Sequence, residues 1–276
     1  RTPRDEPARA RLVSPMAVAA LTALFVWWFS TGAILWLALR RRLNALALAA
    51  GTAPVAALSL VGLARAGDDP SVAGAYLGFL SAIGLWGWIE LTFLTGVLTG
   101  PNRAPCPPGA RGLRRFRAAW AAVAHHELVL GAAMAGLAVM LHDAANLTGL
   151  LAFAVLFAAR ISAKVNVYLG VPHLSHDMMP PRIAHLKTYF HRGRVSAAFP
   201  LAITGLTGAT VWWAERAVAA PAGSGAETGH ALLAALAGLA LLEHWLMVIP
   251  IRDSALWRWA GQRLESRGAA ATDPAE

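Results

Sequence analysis

Uninterrupted apolar stretches of about 20 residues, the length of helix that crosses a bilayer, recur along this chain. Backbone inside lipid has no water to bond, so each such stretch must satisfy its amides and carbonyls internally as helix. The runs predict spans at 15–39, 43–65, 71–99, 115–141, 147–170, 195–219 and 229–250. The fold class that follows is all-α: a polytopic transmembrane helical bundle of about seven spanning helices. Composition agrees, since only 14% of the 276 residues are charged, against roughly 25% in an ordinary soluble domain.

The weakest span is 43–65, which carries Pro54 but no charge before Arg65. A proline is tolerated there if neighbouring helices satisfy the freed carbonyl. The first run follows a basic segment, Arg1–Arg11, yet it is too long for a signal peptide. It ends in Arg40-Arg41-Arg42, not in a small-residue cleavage site, and is read as a retained helix. Three regions are therefore expected: a polar tail over 1–14, a membrane domain over 15–250, and a cytoplasmic amphipathic helix with a disordered tail over 251–276. In that last region Leu256, Trp259, Ala260 and Leu264 recur at helical spacing among arginines, as in an interfacial helix.

The net charge of +9 is not a nucleic-acid signal, because the basic residues flank apolar runs. Their distribution sets an orientation. The connections after spans one, three and five carry three, five and four Lys or Arg, and the tail after span seven carries four. The alternate connections carry one, none and one, and only the N-terminal tail, with four arginines, disagrees. The positive-inside bias places the N-terminus in the periplasm and the C-terminus in the cytoplasm, with basic residues against anionic lipid headgroups. The lone Cys106 excludes an internal disulfide and any multi-cysteine cluster. Trp36, Trp120, Trp245, Trp212 and Trp213 fit interfacial belts, whereas Trp27, Trp28, Trp86 and Trp88 fall nearer mid-membrane, where they pack between helices or touch an apolar ligand.

The most informative residues are charges inside the spans: Glu90, His125-His126-Glu127, Arg160 and Glu243-His244. Counted from the expected cytoplasmic ends, Glu90, His126 and Arg160 lie roughly 15 Å deep, and Glu243 and His244 about 10 Å deep, at the rise of an α-helix. A lone charge at such depth is costly, so these groups should face one another and pair. The expected ion-pair layer comprises Glu90, Glu127, Arg160, Lys164 and Glu243. Arg160 would pair with Glu90 or Glu127, Lys164 would snorkel to the interface, and Asn166 would cap the network. Three readings stay open for the layer. It is an ion-pair network fixing helix register. Or His126, His244 or His125 ligates a pigment, because Ala121, Ala122, Ala124, Gly131 and Ala132 leave room for a flat macrocycle. Or His and Glu hold a metal for oxidoreductase chemistry, against which stands the absence of repeated HxxxH or HxxHH spacings and of Glu-x-x-His on any helix.

Two connections carry side chains suited to docking a partner. The first, GPNRAPCPPG (100–109), holds Pro101, Asn102, Arg103, Pro105 and Cys106. The second, over 170–194, holds Arg182, His185, Lys187 and Tyr189 among apolar anchors. His173, His176, Asp177, His185 and His191 would form a metal site in that second loop only if they converged. Phosphate loops, catalytic triads and a clear internal repeat are missing from the sequence.

Several stretches carry a family resemblance: FVWWFSTGAILWL (Phe25–Leu37), GPNRAPCPPG, RISAKVNVYLGVP (Arg160–Pro172), HLKTYFHR (His185–Arg192) and the pair Phe199-Pro200. Together they resemble the photosynthetic complex assembly protein 2 family of purple-type phototrophic bacteria, encoded near the reaction-centre H subunit. The resemblance implies a multi-pass protein of the bacterial inner, photosynthetic intracytoplasmic membrane. It also implies a non-enzymatic assembly factor or accessory subunit, partnered by reaction-centre and light-harvesting subunits and by membrane lipids. Bacteriochlorophyll or carotenoid is the cofactor such a role would involve. A metal-dependent oxidoreductase acting on a pigment precursor or carotenoid, and a transporter of pigment precursor or lipid, are the alternatives. His173 and His176 depart from the family pattern.

Overall fold

A computed structural model describes residues 14–40, 42–173 and 179–250, together with Trp257 and Trp259. The regular elements of the described residues are all helices, without strands: α1 (Pro15–Ala38), α2 (Ala45–Gly67), α3 (Val72–Leu94), α4 (Gly112–Met140), α5 (Thr148–Leu169), α6 (Ala198–Ala219) and α7 (Gly225–Leu246), with a 3₁₀ segment at Pro181–Tyr189 between α5 and α6. Six of them, all but α6, are long and apolar enough to cross a membrane. The 22 residues of α6 have the length, but Pro200, three threonines, two tryptophans and the Glu215-Arg216 pair dilute its hydropathy.

Local chemistry sets the ends. Ser14, Asn44, Ser71 and Ser224 each accept a hydrogen bond from a backbone amide in the first turn of the helix that follows. At α7 this cap starts the helix at Gly225, earlier than the apolar pattern suggests, because the polar stretch Gly225–Thr228 is held by Ser224 and by Glu227, which accepts from the Gly223 amide at 2.5 Å. α3 stops five residues before its expected end. Gly96 adopts φ +78°, its amide donates to Phe93, and the Val97 amide donates to Thr92. This pair of bonds closes a helix through a left-handed glycine. Residues 95–100 then run as non-helical backbone packed inside the protein, where lipid cannot reach it.

α3 and α7 form the centre. Of the apolar window of each, 56% is buried, against 17–28% for α1, α2, α4 and α5. Their interfaces use small residues that admit close backbone approach. A Cβ on Gly149 of α5 would lie 2.8 Å from the Gly78 carbonyl oxygen of α3, and Gly62 and Gly84 lie against Ser81 and Ser59 between α2 and α3. Near Pro54, the Ala49 carbonyl accepts the Trp88 indole N–H at 3.1 Å, a bond that ties α2 to α3. The mid-membrane tryptophans are accounted for in the same way. Trp86 packs edge-on against Phe153, and Trp27 donates to Glu243 at 3.0 Å. Trp28 faces Trp259 and its carbonyl accepts from Trp257 at 3.1 Å.

The connections sort into two ends. Arg182 donates to the Leu43 carbonyl at 2.6 Å, Asn102 to Tyr189 at 2.9 Å, and the His173 amide to Met247 at 3.0 Å. The connections after α1, α3 and α5 and the end of α7 therefore share one end. At the other, Asn146 donates to Asp69 and Gly67 carbonyls, and Gly225 sits on the Pro70 and Ser71 carbonyls. The arginine-rich connections thus lie together, opposite the arginine-poor ones.

The N-terminal tail over residues 1–13 and most of the segment expected as an interfacial helix (251–256, 258, and 260 onward, with Leu256, Ala260 and Leu264) lie outside the described residues, as do Arg41, Leu174, His176 and Asp177. Trp257 and Trp259 are seated against Trp27, Trp28, Phe29 and Gly32 of α1.

Candidate functional site

The ionisable residues of α3, α4 and α5 are brought together. Arg160 donates from Nη2 to Glu90 Oε2 at 2.7 Å, and Lys164, one turn further along α5, pairs with Glu127 of α4. Lys164 therefore does not snorkel outward as expected, because an acid stands within its reach. Glu127 and Glu90 are both largely buried, at 8% and 7% exposure, so each acid needs its cation. His126 is fully buried, with Nε2 3.6 Å from Glu90 Oε1, beyond hydrogen-bond distance. Its ring lies 4.3 Å from that of Phe93, and Lys164 and Arg160 stand 5.3 and 5.8 Å from the same Phe93 ring. Phe93 is the residue sequence reasoning missed. It sits three positions after Glu90, on the same helix face, and its quadrupole attracts both cations.

Two expected members of the layer are elsewhere. Glu243 lies on an exposed face in the last turn of α7 and accepts from the Trp27 indole. His244, also in that last turn, is buried between α7 and α5, with Nδ1 2.8 Å from the Ala240 carbonyl and Nε2 3.0 Å from Ser162 Oγ. Both lie nearer a helix end than expected because α7 closes at Leu246, short of Pro250. Asn166 does not cap the ion pairs; its amide donates to the Ser162 carbonyl at 3.0 Å.

These positions test the fit of a pigment. Both ring nitrogens of His244 are engaged, and His126 is completely buried with its ring tilted against Phe93, so neither leaves space for a macrocycle at its nitrogen. His125 is exposed on α4 and presents an open imidazole. Among the described residues, no three His, Cys, Asp or Glu side chains are grouped to hold a metal ion.

The two docking loops form a clasp. Asn102 donates from its side chain to the Ala118 carbonyl at 3.0 Å and to Tyr189 Oη at 2.9 Å, and its backbone amide donates to Ala121 at 3.0 Å. Tyr189 donates onward to the Ala104 carbonyl at 3.1 Å, and the Cys106 amide donates to Thr188 at 2.8 Å. Arg103 reaches back to the Gly96 carbonyl at 3.0 Å. Arg115 donates to the carbonyls of Tyr168 and Tyr189 at 3.0 and 2.8 Å while stacking on Tyr168. The GPNRAPC stretch therefore binds the 3₁₀ segment onto α4. Asn102, Cys106 and Tyr189 spend their polar atoms inside this clasp; Pro101, Pro105 and Ala184 stay exposed on its surface and Lys187 is half-buried. Desolvation, with Arg103 nearby, holds the His185 imidazole below its ordinary pKa, and burial raises the Tyr189 phenol.

Between α4, α5 and the clasp lies a cavity of about 450 Å³. Its walls are largely apolar, with aromatic rings among aliphatic side chains, and Glu127, Lys164 and Arg160 line it as well.

A family model described as a protein of unknown function, DUF3623, matches residues 13–267. A Rhodobacter capsulatus protein described as an uncharacterized 30.4 kDa protein in the puhA 5′ region is 43% identical over 261 residues, covering 93% of this chain and 95% of its own length. No solved structure matches the chain.

Proposed function

The chain belongs to the DUF3623 family, and from that premise we propose that it is a non-enzymatic accessory subunit or assembly factor of the bacterial photosynthetic apparatus. It resides in the inner, intracytoplasmic membrane with its arginine-rich end in the cytoplasm. The observation that carries this reading is the relative placed in the puhA 5′ region, puhA being the reaction-centre H gene. The fold supports it in a second way. α1 and α2 bury little of their surface within the chain, and Leu21, Phe25, Leu46 and Leu58 all point outward. Faces of this kind are available to helices of a partner as well as to lipid.

In this role the Glu90–Arg160 and Glu127–Lys164 pairs hold α3, α4 and α5 in register, so the layer is structural. His125, the exposed one of the three candidate ligand histidines, is where a pigment of a neighbouring light-harvesting or reaction-centre subunit would meet this chain. The clasp offers its exposed prolines and Lys187 to cytoplasmic parts of the partners.

The reading is tested by deleting the gene in a phototrophic host. Reaction-centre and light-harvesting absorbance should fall severalfold in isolated membranes, and the intact chain should restore it. Unchanged absorbance under phototrophic growth would contradict the proposal.

A further inference from the structure

The cavity between α4 and α5 combines two features that the structural role of the layer does not use. Its walls present flat aromatic surfaces from Phe93, Trp120, Tyr168 and Phe190, and its volume of about 450 Å³ is that of a site for a small molecule. It also presents spare hydrogen-bond donors. A lysine ammonium has three donors and a guanidinium five. Lys164 bonds Glu127, and Arg160 Nη2 bonds Glu90. Arg160 Nε is buried with no acceptor among the described residues. Both side chains remain partly open, 25% for Lys164 and 33% for Arg160, and both line the cavity.

We infer that the α4–α5 cavity binds a flat, apolar, ring-bearing molecule through an uncharged carbonyl oxygen that accepts from Lys164 and Arg160. The carbonyl is uncharged because the two cations are already matched by two acids. A carboxylate would add an unbalanced charge at a depth where that is costly. The ring system lies between the aromatic walls, and the ligand enters from the bilayer beside Phe116 and Trp120, which are 51% and 46% exposed. The inference stands independently of the assembly role.

The test uses purified full-length protein in detergent with three pyrene probes, following quenching of tryptophan fluorescence, for which Trp120 is the nearest reporter. 1-Acetylpyrene should bind saturably and about tenfold more tightly than 1-ethylpyrene, the effect of roughly one charge-assisted hydrogen bond. 1-Pyrenecarboxylate should bind no better than 1-ethylpyrene. The balanced double variant E127Q/K164M should lose the ketone's advantage while keeping the ethylpyrene affinity, and A163F should abolish saturable binding of all three. Equal affinity for ketone and hydrocarbon in the unaltered protein, or quenching that never saturates, overturns the inference whatever the variants do. Tighter binding of the carboxylate overturns the choice of a neutral acceptor.

Discussion

Arg160 Nη2 stands 2.7 Å from Glu90 Oε2, joining the middle of α5 to the last turn of α3 across the centre of the bundle. One turn away Lys164 meets Glu127 of α4. Three helices are thereby fixed by two opposite-charge pairs, and Phe93 sits between them. Nonpolar side chains alone specify register weakly in lipid, where apolar contact with a neighbour gains little over contact with acyl chains.

Arg160→Leu leaves Glu90 buried without its cation. The expected loss is about 3 kcal/mol, the low end for breaking a buried pair because Arg160 is a third exposed. Thermal unfolding in detergent and the amount of protein in membranes should both fall. The double variant E90Q/R160M should recover much of the loss, and equal damage in the single and double variants would argue against the pair.

Tyr189→Phe removes one hydroxyl that holds two partners, Asn102 and Ala104. The expected cost is on the order of 1–2 kcal/mol for the two neutral bonds. Limited trypsin digestion reports it directly: cleavage after Lys187 and Arg192 should accelerate severalfold while the spans stay protected. An unchanged digestion rate would mean that the clasp does not hold the 3₁₀ segment.

The clasp should also weaken in mild acid. His185 has a folded pKa below its ordinary value of 6.5, from burial and from Arg103. Protonation is therefore easier in the opened state, stability is complete above 6.5, and it declines as pH falls below that value. Trypsin sensitivity of the loop measured from pH 7.5 to 5.5 should rise in the parent protein and stay flat in His185→Gln. A flat profile in both would remove His185 from this role.

Gly149→Val places branched carbons where the Gly78 backbone of α3 already lies. α3 and α5 would have to separate, with a loss of about 1–3 kcal/mol for overpacking. Gly51→Val on α2 meets no neighbour within 4 Å and serves as the control. The melting temperature in detergent should drop for the first and hold for the second.

The apolar runs mark six of the seven long helices to within about four residues, because a bilayer-length helix has few alternatives. α3 ends early since the apolar run continues past Thr95, while the backbone is turned by one glycine whose φ no hydropathy pattern reveals. That Arg160 pairs with an acid of the same layer was legible from depth, which left Glu90 and Glu127 both open, and the grouping of arginine-rich connections at one end was legible from their charge count. Which acid Lys164 meets was not, because a side chain of that length reaches either the interface or a neighbouring helix. Glu243 was misplaced for a different reason: charge and depth say nothing of which side of α7 a residue occupies. The proline-rich loop reads as a docking surface because its composition is that of an exposed turn. Its hydrogen bonds to Ala118, Ala121 and Tyr189 depend on contacts more than ten residues away in sequence.

The central claim, that this chain works against the photosynthetic apparatus, is tested most directly by gentle detergent purification of the tagged protein from phototrophically grown cells. Reaction-centre or light-harvesting subunits should co-purify, with their near-infrared pigment absorbance in the same fraction, and His125→Leu should reduce that absorbance without lowering recovery of the chain. A colourless protein recovered intact and free of those subunits would contradict it.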